Sequence, residues 1–423
     1  MFEQIRPEDV NRGRRPPVGP HVLAQAGTIV EAVRDRGEAA VREYAERFDG
    51  LAPDVSLVAT PTHMRAALNG LDRASVGVLE RVAERIELFA RAQRSMYREV
   101  ELPTPGGTGG HTVEPVAAAG CYAPGGRYPL PSSVLMTAVT ANAAGVQRVV
   151  VASPRPTQTM LAAAAIAGAD AYLCVGGAHA IAALAFGMDG LDPVDVVVGP
   201  GNAWVTAAKQ LVVGSVGIDM LAGPSELLVL ADATADAKLV AADLLAQAEH
   251  DADASAMLVT TSAALADAVG VQLREQLAAL STRETAERGI ANGFYCVVDS
   301  IDEAIEVADA IAAEHLEVCT DDPESVAARV RNAGGVFLGE GSAEVFGDYG
   351  FGPNHTLPTG GTARYMAGLS VAHFLRLRTW LRVDDPDAAA PAMADAMALA
   401  RMEGLAGHME SAKRRMPNES ITP

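Results

Sequence analysis

The sequence predicts an α/β protein: two Rossmann-like parallel-sheet domains, preceded by a helical N-terminal segment and followed by a helical C-terminal tail. Three observations lead there. From about residue 148, short β-branched runs alternate with Ala-rich helical stretches, which is the pattern of βαβ units and a parallel sheet. Apolar residues make up 49% of the chain while aromatics make up 4%, a balance that favours close helix-on-sheet packing. At 423 residues the chain exceeds one ordinary domain, so two or more packed units are expected.

The elements follow in order. Residues 20–48 and 71–97 carry helical periodicity. The runs RVVVA (148–152), AYLCV (171–175), VDVVV (194–198), LLVLA (227–231) and AMLVT (256–260) read as strands. Helices are expected between them over about 158–167, 178–186, 202–213 and 235–250. A shorter α/β stretch follows, with helices 302–312 and 323–332 and strands 316–320 and 335–338. Segment 347–362 is rich in Gly and Pro and has no periodicity, and a loop of that length is usually functional. The tail 391–415 is helical but broken near Gly404 and Gly407. The expected divisions are a helical segment 1–110, a first α/β domain 111–240, a second α/β domain 241–385 and the tail 386–423.

A net charge of −20 argues against nucleic acid or an anionic membrane surface as partner. The N-terminus has no apolar core of a secretory signal. The longest apolar stretch, Leu161 to Gly187, is interrupted by Asp170, Gly176-Gly177 and His179, and reads as strand-turn-helix instead of a span. The four cysteines, Cys121, Cys174, Cys296 and Cys319, have no CxxC spacing and read as reduced residues of a cytoplasmic protein.

Several stretches carry chemistry. In LLAQAEHDADA, Gln247 and His250 lie three apart and share a helix face, so an amide oxygen and an imidazole aim at one point. Alone, such a pair is more often a core-edge helix face than a metal site. Glu314-His315 in AAEHLEV, Asp348 in FGDYGFGPNHTLPTGG, and Glu403 with His408 in MEGLAGHMES add donors in irregular stretches. Together they suit zinc with room for a substrate. Glu403 and His408 are five apart, so only a break at Gly404 and Gly407 lets both face one site. An imidazole at the Glu314-His315 junction is a natural base for an alcohol proton, and a solvated charged junction is the equal alternative. Gly199-Pro200-Gly201-Asn202 sits between a strand and a helix, where backbone can approach a phosphate, or simply turn. Gly176-Gly177 with His179 repeats that theme. The loop CYAPGGRYPLPSS presents Tyr122, Arg127 and Tyr128 on rigid backbone. Ser225 in AGPSE either touches substrate or caps backbone.

Taken in this order, GCYAPGG, GPGNAWV, AGPSE, QAEHDAD, AEHLE, GDYGFGPNHTLPTGGTAR and EGLAGH resemble the histidinol dehydrogenase family across nearly the whole chain. The resemblance implies a homodimer with shared sites that oxidises an amino alcohol to a carboxylate through an aldehyde, with two NAD+ reduced and one Zn2+ per subunit. It implies Gln247, His250, Asp348 and His408 as metal ligands, with His408 reaching in from the other subunit. Glu314 and His315 are the implied proton-transfer residues. Ser225, His315 and Glu403 would touch substrate alongside the metal ligands, and Tyr122, His179 and Asn202 would bind NAD in the first domain. His179 stands where many members carry Gln. Glu344, four residues before Asp348, is placed to meet a substrate ammonium. L-histidinol is the expected substrate. The rivals are a paralogue acting on another polar alcohol, such as a sulfonated diol, and a catalytically silent metal- or nucleotide-binding protein.

Overall fold

The computed structural model describes residues 2–10, 17–125 and 129–417. It divides into two compact units: residues 1–92 with 116–374, and residues 93–115 with 375–423.

The first unit opens with strand β1 (Glu3–Ile5) and helices α1 (Pro20–Arg36) and α2 (Glu38–Tyr44), which meet at Gly37. Strand β2 (Val58–Ala59) and helices α3 (Pro61–Asn69) and α4 (Arg73–Arg94) follow. In the second unit, β3 (Val100–Thr104) and β4 (Gly107–Pro115) form a hairpin through Gly106, whose φ of 69 needs glycine. Back in the first unit come β5 (Ala118–Tyr122), α5 (Pro131–Ala144), β6 (Arg148–Ala152), α6 (Gln158–Ile166), β7 (Ala171–Leu173) and α7 (Gly177–Phe186). Then come β8 (Val196–Val198), α8 (Ala203–Val212) and β9 (Gly217–Ile218).

β10 (Glu226–Ala231), α9 (Ala237–Glu249), β11 (Ser255–Thr260), α10 (Ala263–Ala279), α11 (Arg283–Asn292), β12 (Phe294–Val297) and α12 (Ile301–Ile311) continue the chain. β13 (His315–Cys319), α13 (Pro323–Ala327), β14 (Gly335–Leu338) and α14 (Glu344–Asp348) complete the first unit's named elements. The second unit ends with β15 (Leu375–Val383), α15 (Pro386–Met402) and α16 (Ala406–Lys413).

Two six-stranded sheets organise the first unit, in the orders β2-β7-β6-β5-β8-β9 and β1-β12-β11-β10-β13-β14. Apart from the short antiparallel β2, every pairing is parallel. Helices cover both faces of the sheets, so the buried strands are mostly apolar, with His315 and Glu317 of β13 as exceptions. β10 shows why: Leu227, Val229 and Ala231 enter a core with α9 and α10, while Leu228 and Leu230 enter another with α12. Apart from the short edge strands β1 and β2, each sheet starts near its middle, at β5 or β10, builds outward on one side, and returns to build on the other. The strand order therefore reverses between β5 and β8, and again between β10 and β13. Each reversal leaves a crevice between neighbouring loops.

The α/β class with paired parallel sheets is as expected, but its boundaries differ. β10 lies at the centre of the second sheet, so that half begins near residue 226 and not at 241. β1 pairs with β12, which draws the N-terminus into the second sheet. Segment 100–115 is a hairpin that pairs with β15 in a separate three-stranded sheet, so neither 1–110 nor 241–385 is one structural block. The helix expected over 323–332 ends at Ala327. α3, α5, α10, α11, α14, β5, β12 and β15 are among the elements additional to those expected, and Tyr122 ends buried strand β5 instead of standing in a loop.

Candidate active site

The amino-terminal edge of the second sheet collects most of the predicted polar residues. Ser225 immediately precedes β10 and Glu314 immediately precedes β13, while His315, its first residue, pairs with Leu227. Ala312 takes a left-handed conformation at the end of α12 (φ 54), turning the chain so that Glu314 and His315 face together. Glu314 Oε2 lies 3.6 Å from His315 Nδ1. It accepts hydrogen bonds from Ser225 Oγ at 2.6 Å and from the Glu226 N–H at 2.9 Å. Burial nevertheless pushes the Glu314 carboxyl well above its ordinary range.

His315 is 3% exposed, and burial lowers its imidazole to about 4. Its Nδ1 stands 3.1 Å from the Glu226 carbonyl. A carbonyl can only accept, so Nδ1 carries the hydrogen and Nε2 holds a free lone pair. In the neutral form that burial favours, the ring leaves its lone pair on Nε2.

α9 runs back from β10 to this edge and delivers Gln247 and His250 in its last turn. Gln247 is fully buried; its Oε1 is 3.5 Å from Ser225 Oγ and its Nε2 has no partner among the described residues. His250 Nε2 meets Asp348 Oδ2 at 3.2 Å, and that contact raises the His250 pKa. Asp348 is desolvated, yet His250, His355 and His315 hold it below the usual carboxylate range. Glu344, one turn earlier on α14, is 1% exposed, and neither carboxylate oxygen has a partner among the described residues. One donor atom each from His250, Glu344 and Asp348 lie within 4.8 Å of one another. Burial first, and then the neighbouring carboxylates Asp348, Glu317, Glu314 and Asp243, push the Glu344 carboxyl well upward. A buried cluster this rich in carboxylate could hold a divalent cation on one donor atom each from His250, Glu344 and Asp348.

His355, which the sequence reading did not single out, donates from Nδ1 to the Asp348 carbonyl at 3.0 Å, while its Nε2 accepts from Ser133 Oγ at 3.2 Å. It braces Asp348 against α5, the helix that follows β5. The GPNH string was its signal. A cavity of about 520 Å³ opens beside this edge, lined in part by Pro224, Glu226, Ser255, Thr359 and Arg364.

Tyr122, His179 and Asn202 stand at the carboxyl ends of β5, β7 and β8. Tyr122 is buried, and its hydroxyl accepts the Gly177 N–H at 3.1 Å. His179 is also buried, donating from Nε2 to Asp49 at 3.0 Å, so its ring is held inside the chain. Asn202 is exposed and caps α8 by accepting from the Trp204 and Val205 N–H groups. Gly199 closes the β5–β8 crevice: its φ is 116, and a Cβ there would stand 2.0 Å from the Tyr122 carbonyl oxygen. The missing side chain lets the turn after β8 lie against the end of β5. Arg127 and Tyr128 lie outside the described residues.

Glu403 and His408 belong to the second unit and are exposed. Glu403 caps α15, Gly404 takes a φ of 74, and α16 starts at Ala406, so the helix breaks between the two side chains.

Paired parallel sheets with a buried acid–imidazole cluster at the amino-terminal edge of the second mark the class, an α/β protein with titratable side chains gathered in one place. A family model described as histidinol dehydrogenase matches residues 16–416. The histidinol dehydrogenase of Parasynechococcus marenigrum (strain WH8102) is 45% identical over 404 residues, covering 93% of this chain and 91% of its own. That of Thermobifida fusca (strain YX) is 46% identical over 402 residues, covering 92% and 91%. The crystal structure of the histidinol dehydrogenase from Elizabethkingia anophelis matches with a TM-score of 0.91 at 30% identity, covering 98% of both chains. The chain belongs to the histidinol dehydrogenase family and is an oxidoreductase.

Proposed function

We propose that this oxidoreductase converts L-histidinol to L-histidine through the aldehyde, a four-electron oxidation that uses two NAD+ and one Zn2+ per subunit. The observation that carries this reading is the buried Glu314–His315 pair, its imidazole fixed with Nε2 free, beside the His250–Glu344–Asp348 cluster. Family membership supplies the reaction class.

Gln247, His250 and Asp348, completed by His408 of the partner subunit, are the residues that would hold zinc. Tyr122, His179 and Asn202 flank the crevice that would take the dinucleotide. Bound zinc supplies a Lewis acid that anchors the substrate's imidazole and amine, and NAD+ supplies the hydride acceptor. His315 Nε2 takes the hydroxyl proton of the carbinol. Glu314 in its ionised form, made a stronger base by the burial that raises its pKa, takes a proton from the water that adds to the aldehyde carbon. Ser225 Oγ, bonded to Glu314 and 3.5 Å from Gln247 Oε1, keeps the carboxylate in register with the metal-ligand helix. Glu403 meets the substrate from the partner subunit, and Glu344 is placed for its ammonium.

Cytoplasmic residence accords with four free cysteines and with no described helix long and apolar enough to cross a membrane. NADH formation from a panel of L-histidinol and other polar alcohols, a sulfonated diol among them, tests the assignment. Highest kcat/KM with L-histidinol, lost on exhaustive chelation and restored by Zn2+, is the expected result. Preference for another alcohol points to the paralogue, and NADH from none of them points to a binding protein. Undiminished activity after chelation rules out the zinc assignment.

A further inference from the structure

Glu317 is a buried acid to which the reaction above gives no part. It lies on β13 two residues beyond His315, so both side chains leave the same face of the strand. Its Oε1 accepts the Glu344 N–H at 2.7 Å, at the first residue of α14. α14 has five residues, and Ala343 at its N-cap offers no side-chain cap. So short a helix does not hold its own conformation. The cap that its sequence lacks comes from β13.

On its other side Glu317 meets Asp243 of α9. Asp243 and Gln247 are four apart and share a helix face. Burial pushes both the Asp243 and Glu317 carboxyls upward. Two ionised carboxylates cannot hydrogen-bond each other, and Glu317 Oε2 has no partner among the described residues. A proton shared with Asp243 would supply one.

We propose that Glu317 is a positioning residue: it caps α14 from β13 and locks to Asp243, holding the helix of Glu344 and Asp348, the helix of Gln247 and His250, and the base His315 in one frame. This deepens the zinc-site reading above and rests on it for the metal consequence alone.

Full-length protein carrying Glu317→Gln or Glu317→Leu tests it. Gln keeps an oxygen for the Glu344 N–H and offers an N–H to Asp243, whereas Leu removes both. Hydrogen–deuterium exchange over residues 343–349 of the metal-free protein is read first, followed by the rate of Zn2+ release from the loaded protein to a chelator. The Leu variant should exchange there about tenfold faster and release Zn2+ about tenfold faster, with far-UV circular dichroism unchanged, while Gln stays within about twofold of the parent in both. Parent-like exchange in the Leu variant overturns the proposal, as does a Gln variant as fast as Leu. Should Leu fail to fold, Glu317→Asp, one methylene too short to reach, carries the same expectation and the same refutations. Exchange in metal-free protein depends on neither metal nor substrate. A loss of protection with no Zn2+ bound by any variant would therefore count against the zinc site and leave the capping role standing.

Discussion

His315 shows how one residue acquires a role from its backbone position. As the first residue of β13 it faces the Glu226 carbonyl, which fixes the tautomer, and burial keeps the ring neutral. His315→Ala should cut turnover by about 10²- to 10⁴-fold, the usual worth of a placed base, while the zinc content measured on purified protein stays at the parent level. Loss of metal in that variant would make His315 structural. The same burial sets an acid dependence. A histidine whose folded pKa falls from 6.5 to about 4 contributes stability that is present above 6.5 and is lost as pH falls through 4. The interval amounts to about 3 kcal/mol. In metal-free protein, His315→Gln, which cannot titrate, should therefore lose about that much less stability between neutral pH and pH near 4 (urea midpoints at each pH). Equal losses in parent and variant would mean that the ring is solvated.

At the scale of elements, the GPGN turn after β8 is held more firmly than its glycines alone require. Asp219 accepts the Gly199 N–H at 2.7 Å, Lys209 donates to the Gly199 carbonyl at 2.9 Å, and the two side chains form a buried ion pair with each other. Gly199→Ala places a methyl against the Tyr122 carbonyl at a positive φ, and should destabilise the protein by about 2–4 kcal/mol or raise the KM for NAD+. Thermal unfolding and dinucleotide titration read this out; an unaltered Tm with an unaltered KM would show that the turn is slack. The sequence revealed this element because a β-branched run, a glycine turn and an Asn cap are all local signals. α5 was hidden because it is buried nearly all round and shows no amphipathic period. β1, β2 and β9 have two or three residues each, too few for a pattern. That β10 joins the second sheet is a matter of long-range pairing, which no local run encodes. Gln247 and His250 were legible as polar residues three apart on one helix face, and Glu314, His315 and Asp348 as polar residues in irregular stretches. Glu317 was not, since it acts through partners on α9 and α14, and Asp219 was not, since its role appears only once it meets the turn at Gly199; the GPNH string marked His355 but not what it braces.

At the scale of the whole molecule, the second unit carries the argument for a shared site. Leu399, Met402 and Leu405 surround Glu403 and are 60%, 82% and 42% exposed, and Leu377 and Leu381 of β15 are exposed as well. Apolar side chains so gathered on helices that bear predicted substrate and metal contacts are expected to be covered in solution, and the proposed second copy of the chain would cover them and bring His408 to a site. If so, His408→Ala and Glu314→Ala homodimers are each inactive, because every site carries one lesion. Unfolding and re-forming an equal mixture yields heterodimers as half of the population. In each heterodimer one site draws Glu314 from the first variant and His408 from the second and is intact, while the other site carries both lesions. Activity should return to about a quarter of the parent's, measured as NADH formation per subunit after reassembly. Separate incubations of each variant must stay inactive through the same treatment. A mixture that remains as inactive as its parts, although native mass spectrometry shows that heterodimers have formed, would place both residues in one subunit's site and remove the second copy from the chemistry.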